Sequence, residues 1–282
     1  MHRVAWLLSL AILCFSGTTL AGETVRFAPL PMENRETVVK QFRPMTDFLQ
    51  KRLGITIEYV YADSYADILQ KFRAGKIDLA YLGPLPYVEL HSRYPQAEPL
   101  VHFREASGET AYTCSLVAFA DSTPSLAKLA DKNVALTQPL STCGYLSANG
   151  LLRRYGSNLE RNNYRYLGKH DAVALAVVQG QYDIGGLKTA IGKKYEHLGL
   201  SILAETAPLP SFALVANKVT LRPGLQSLIR KALIDITPSK NREMLAGWGD
   251  NIRYGAAPAN DGDYDVIREL LGDVEIPDHG NF

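Results

Sequence analysis

The amino-acid sequence predicts an α/β protein of two lobes, each a mostly parallel sheet flanked by helices, with a ligand cleft between them. Three observations predict it. Short β-branched runs alternate with amphipathic helical stretches in a βαβαβα order; that order starts again after the turn-like segment ASGET at 106–110; and 282 residues are enough for two separate cores. The expected lobes are 22–108 together with 209–282, and 109–208.

The elements follow in order. Residues 23–29 (ETVRFAP) alternate polar and apolar, as a half-buried strand does. Over 38–53, Val39, Phe42, Met45, Phe48, Leu49 and Leu53 recur at close to helical spacing, and Gly54 stops the helix. ITIEYVY at 55–61 is a strand by its β-branched and aromatic content. Ser64 is an N-cap residue for a helix reaching Arg73, with Ile68, Leu69 and Phe72 on one face. A buried strand at 78–82 breaks at Gly83-Pro84 into a helix through Tyr87 and Leu90, and strands at 99–103 and 112–120 lead the chain into the second lobe. There, strands are expected at 134–137, 164–167, 184–186 and 201–204, with helices at 141–155, 170–179 and 189–198. A strand at 211–216 (SFALVA) follows a Pro-rich hinge, helices at 225–236, 242–248 and 264–271 follow it, and the tail is expected on the first lobe.

Composition bounds the function. A hydrophobic fraction of 46% and an aromatic fraction of 9% belong to a folded protein. Residues 1–21 differ in kind: Arg3 precedes an apolar run at 4–15, and Thr19-Leu20-Ala21 is a small-residue cleavage site. That is a secretory leader, so a soluble, periplasmic, monomeric protein beginning near Gly22 is expected. Cys14 follows Leu13 inside the apolar run, which argues against lipid attachment. Without Arg3 the chain balances at 29 basic and 29 acidic residues, with no basic stripe, so nucleic acid is excluded as a partner. Cys114 and Cys143 remain, and thiols in an oxidising compartment pair; a bond closing this loop would contribute roughly 3–4 kcal/mol.

No G-x-S-x-G elbow, P-loop, G-x-G-x-x-G, H-E-x-x-H or C-x-x-C is present. The expectation is a binding protein rather than an enzyme, with no cofactor and no metal. Four places follow strands and could face the cleft. LTQPLSTCGYLSA at 136–148 reads as strand end, turn and helix start; free first-turn amides with the hydroxyls of Ser141 and Thr142 would seat an anion, and the same pattern is also that of a plain helix cap. Tyr65 follows the second strand beside Asp63 and Ser64. Gly83 and Tyr87 follow the third, where glycine permits close approach to backbone N–H groups. His170 follows Lys169 at a helix start and can donate to an anion, or be protonated beside it.

STCGYL at 141–146, KHDAVALAVVQGQYDIGG at 169–186 and YADILQKFRAGKIDLAYLGPLPYVEL at 65–90 together resemble the periplasmic phosphate/phosphite/phosphonate-binding proteins of ABC importers. The resemblance covers nearly the whole mature chain and implies the type 2 periplasmic binding protein fold, two α/β lobes closing on a hinge. It implies that Ser141 and Thr142 hold the phosphoryl oxygens, that Cys143 stands at a third position normally Ser, and that His170 and Tyr65 are ligand residues. The partners implied are a small oxyanion and a membrane permease. Family members that take aminoalkyl phosphonates use second-lobe acids for the amine; here IGGLKT at 184–189 offers Lys188, and PLPSF at 208–212 offers Ser211 where an Asn-Asp pair is common. An oxyanion without an ammonium is therefore expected. Lys188 could add positive charge, but Lys193 and Lys194 nearby read as a solvated face. A rival reading has the protein present its ligand to a membrane sensor kinase. If Cys143 and Cys114 were free thiols, a thiolate at a helix start would make a soft site for a metalloid oxyanion such as arsenite.

Overall fold

The computed structural model describes residues 22–122, 124–127 and 129–282; the leader expected at 1–21 lies outside them. The first lobe contains β1 (Thr24–Pro29), α1 (Arg35–Leu53), β2 (Thr56–Tyr59), α2 (Tyr65–Arg73), β3 (Leu79–Leu82), α3 (Pro84–Arg93) and β4 (Ala97–Phe103). The chain crosses through β5 (Ala111–Tyr112) into β6 (Cys114–Phe119), β7 (Asn133–Leu136), α4 (Tyr145–Arg154), β8 (Asn163–Tyr166), α5 (His170–Val178), β9 (Ile184–Lys188), α6 (Thr189–Lys194) and β10 (Leu200–Glu205). It returns through β11 (Leu209–Pro210) to β12 (Ala213–Asn217), α7 (Pro223–Ile234), α8 (Arg242–Ala246), β13 (Ala256–Pro258) and α9 (Asp265–Leu271).

The strands form a six-stranded sheet in the order β13-β4-β12-β3-β1-β2 and a five-stranded sheet in the order β10-β6-β9-β7-β8. Both are mixed, which corrects the mostly parallel sheets expected. Only the βαβ units give parallel pairs, β1 with β2 and β3, and β7 with β8 and β9. The strands that carry the chain into and out of each lobe run against them, β12 between β3 and β4, and β6 between β9 and β10. A short antiparallel ribbon, β5 with β11, joins the lobes where the two crossings meet.

Local chemistry explains the boundaries that frame the cleft. Asn34 caps α1 by accepting from the Thr37 amide, and Gly54 ends it in the left-handed conformation at φ 66°. Ser64 caps α2 by accepting from the Asp67 amide. Phe27, Phe42, Tyr81 and Phe103 pack edge-to-face or tilted at 4.8–5.7 Å beneath the first sheet's helices. Cys143 and Leu146 of the second lobe belong to the same apolar cluster, so the core continues across the closed cleft.

The tail does not stay on the first lobe. Beyond α9, Val274 and Ile276 pack on the second lobe's core, and Asn281 pairs with the edge of β8: its N–H donates to Tyr164 O at 3.1 Å and its Oδ1 accepts from Tyr164 N at 2.7 Å. Tyr166 also donates to Pro277 O at 2.8 Å. This covers backbone groups that an edge strand would otherwise expose, and it makes a third crossing between the lobes.

Candidate functional site

The site is assembled from the carboxyl ends of the parallel strands, where an open α/β sheet leaves backbone groups and loop side chains facing outward. Leu30 follows β1, Tyr65 follows β2, Gly83 follows β3, Ser141, Thr142 and Cys143 follow β7, His170 follows β8, and Lys188 ends β9. With Pro86, Tyr112 and Phe212 these residues line one small interlobe cavity of about 10 Å³. Tyr87 is not among them. It lies one helical step past Pro86, which turns its ring inward onto Tyr264 at 4.1 Å and its hydroxyl to Asp261 Oδ1 at 2.7 Å. A Cβ at Gly83 would crowd the cavity wall, 3.1 Å from Phe212 Cε1.

Ser141 and Thr142 do not cap α4. The N-cap is Gly144, with no side-chain capping bond, and the entry is a turn in which Ser141 N donates to Gln138 O and Gly144 N to Ser141 O, each at 2.9 Å. That turn needs glycine, since a Cβ at Gly144 would lie 2.7 Å from Gln138 O. Ser147 instead satisfies the Thr142 carbonyl through its N–H at 3.2 Å and its hydroxyl at 2.5 Å. The Ser141 hydroxyl and the amides of Thr142 and Cys143 are left without a protein partner among the described residues.

Thr142 and Gln138 reach across the cleft. Thr142 Oγ1 accepts from the Leu85 amide, at the start of α3, at 3.0 Å in a buried setting. Its own proton is not used in that bond, and the Tyr112 hydroxyl lies beside it. Gln138 Oε1 accepts from the Tyr65 amide at 3.0 Å, and its Nε2 donates to Gly168 O at 3.3 Å, so one side chain touches both lobes. In each case a first-turn amide that water would solvate in an open cleft is satisfied by the opposite lobe.

The tautomer of His170 follows from its partner. Its Nδ1 accepts from the Lys188 amide at 3.1 Å, so the ring proton is on Nε2. Burial, reinforced by the Lys188 ammonium, lowers its pKa to about 4. Without a ligand it is a neutral N–H donor, not the imidazolium that a helix-start histidine could have been. Burial also raises the phenols of Tyr65 and Tyr112 well above their ordinary range, so both keep their protons. The Tyr112 hydroxyl is buried near Thr142 with no well-directed hydrogen bond to any described residue.

Lys188 is no part of a solvated face. It is 8% exposed, and its Nζ lies 2.8 Å from both carboxylate oxygens of Glu105. The strand-end rule that found His170 applied to Lys188 equally; the adjacent Lys193 and Lys194 obscured it. Tyr112 ends β5 of the hinge ribbon and Phe212 lies just past β11; neither carries a periodic signal, and the fold brings them to the cavity.

Cys143 is bonded to Cys114 at the start of β6, with Cα atoms 5.0 Å apart. Neither sulfur is a thiolate, which overturns the soft site for arsenite. The bond pins the turn that holds Ser141 and Thr142 to the neighbouring sheet.

Residues 27–264 match the family model described as ABC transporter, phosphonate, periplasmic substrate-binding protein. The chain is 27% identical to the Phosphate-import protein PhnD of Mycolicibacterium smegmatis, over 90% of this chain and 87% of that one. It is 26% identical to the Phosphonates-binding periplasmic protein of Escherichia coli, over 80% of this chain and 67% of the other. Its fold is similar to that of PhnD1 from Prochlorococcus marinus, solved in complex with methylphosphonate, with a TM-score of 0.76 and 16% identity over 89% of this chain and 98% of that one.

Proposed function

The chain belongs to the phosphonate periplasmic substrate-binding proteins of ABC transporters, and on that premise we propose that it closes on phosphate, phosphite or a simple alkylphosphonate and delivers it to a membrane permease. The observation that carries this reading is the donor set. The Ser141 and Thr142 hydroxyls, the Thr142 and Cys143 amides, the Tyr65 and Tyr112 phenols and His170 Nε2–H all have a proton to donate, with the Tyr112 and Thr142 hydroxyls lying beside each other within the set. An oxyanion accepts from such a set through its ionised oxygens, while a cationic group would leave donors facing donors. Fixed dipoles in a water-excluded cavity favour the anion without reorganising at the moment of binding.

No covalent step is needed. The ligand bonds to groups from both lobes, so it favours the closed form by its differential contacts. Among the described residues no helix is long and apolar enough to cross a membrane; the family match is what supports a separate permease as partner. A thermal-shift panel tests the reading. Phosphate, phosphite or methylphosphonate at about 100 times its Kd should stabilise the protein by about 2.7 kcal/mol. Failure of all three, with stabilisation by a carboxylate or a sulfonate instead, would overturn it.

A further inference from the structure

The Lys188 ammonium sits in surroundings that proteins use to bind cations. Glu105 offers both carboxylate oxygens at 2.8 Å, and the ring centroids of Tyr112 and Phe212 lie 5.1 and 5.5 Å from Nζ. A carboxylate and two aromatic faces converging on one nitrogen form an ammonium box. The box opens onto the oxyanion cavity, because Lys188, Tyr112 and Phe212 line that cavity. On its other side lies a groove of about 400 Å³ that contains Glu105 and Glu109 and shares Lys188 and Tyr112 with the cavity. The lysine is both the tenant of the box and the wall between two spaces. Its backbone is held in place as well, since the Lys188 amide donates to His170.

We infer that Lys188 is the specificity-determining residue of this cavity: it fills an ammonium subsite made by Glu105, Tyr112 and Phe212 and thereby restricts the ligand to small oxyanions that carry no cationic substituent. This rests on the oxyanion reading above. A ligand ammonium would meet the Lys188 charge, with the Glu105 carboxylate already paired to it, and a longer substituent would meet its side chain. Removing the side chain while leaving Glu105 and the rings reverses both effects. The vacated carboxylate repels a bare oxyanion and attracts the amine end of a zwitterion, and the opened wall gives that end room.

Calorimetry with methylphosphonate and 2-aminoethylphosphonate on four proteins tests it. The unaltered chain should bind methylphosphonate at least tenfold more tightly than the aminoethyl compound. Lys188→Ala should shift that ratio by at least tenfold toward the amine, and Lys188→Ala with Glu105→Gln should lose the shift. Lys188→Met, which removes the charge but keeps most of the bulk, should weaken methylphosphonate without admitting the amine, and it serves where the alanine variant fails to fold. An unchanged ratio in Lys188→Ala, a gain that survives Glu105→Gln, or a methionine variant that binds the amine compound overturns the assignment while leaving the oxyanion reading intact. An unaltered chain that binds neither compound, nor phosphate or phosphite, removes the premise and the assignment with it.

Discussion

Thr142→Ala separates closure from folding. Thr142 Oγ1 accepts the Leu85 amide at 3.0 Å, and both residues are buried in the closed form. Truncation leaves that amide without a partner, at a cost of about 1–3 kcal/mol. At about 1.4 kcal/mol per tenfold, this alone raises Kd by roughly 5- to 150-fold, before the lost hydrogen bond to the ligand is counted. In an open cleft water solvates the same amide, so the cost falls on closure and not on the fold. The expected result by titration calorimetry is a Kd for phosphate or methylphosphonate raised at least tenfold, with the ligand-free melting temperature lowered by no more than about 1 °C, a shift of roughly 0.5 kcal/mol for a chain of this size. Thr142→Ser keeps the oxygen and should recover most of the affinity. A Kd within threefold of the unaltered protein would refute the double role of this hydroxyl, and so would a fall in ligand-free stability as large as the loss of binding energy.

Three further outcomes are expected. The folded-state pKa of His170, about 4, lies below the ordinary histidine value of 6.5, so the unfolded chain binds more protons between those values; ligand-free stability should fall as pH drops through that window, by up to about 3 kcal/mol. His170→Asn, which can still accept from the Lys188 amide, should flatten that dependence in denaturant melts and weaken oxyanion binding; a slope unchanged by the substitution would show that other groups produce it. Reducing the Cys114–Cys143 bond, which spans 29 residues, should cost about 3–4 kcal/mol in urea unfolding and lower affinity as well, because it frees the turn that carries Ser141 and Thr142; identical urea midpoints with and without reductant would contradict this. Gly83→Ala should push the Phe212 ring into the cavity and weaken binding of methylphosphonate more than of the smaller phosphite, a difference read by competition calorimetry; equal losses would mean that the ring gives way elsewhere.

Much of the fold was legible because hydrophobic periodicity reports which face of a segment is buried. The helices at 38–53, 170–179 and 264–271 and the strands at 55–61 and 78–82 lie within a few residues of where their patterns place them. Periodicity does not say which strand pairs with which. The antiparallel position of β12 between β3 and β4 and the pairing of Asn281 with β8 are decided by long-range packing, and neither could be read in advance. For the site, the useful signal was position after a parallel strand. It located Tyr65, Gly83, Ser141, Thr142 and His170 together. It failed at Tyr87, where one residue of helical rotation separates the cavity from the lobe interior. Lys188 was discounted on the company of its neighbours in sequence, although a strand's last residue and the exposed turn after it have different surroundings.

The third crossing has a practical consequence. Glu23, next to β1, is tied to Arg222 on the first lobe, whereas the Phe282 carbonyl is held by Arg165 on β8 of the second. The two ends of the described chain therefore ride on different bodies. A donor and an acceptor dye attached near Glu23 and beyond Phe282 would report the angle between the lobes directly, converting ligand capture into a change in energy transfer without a label in the cleft.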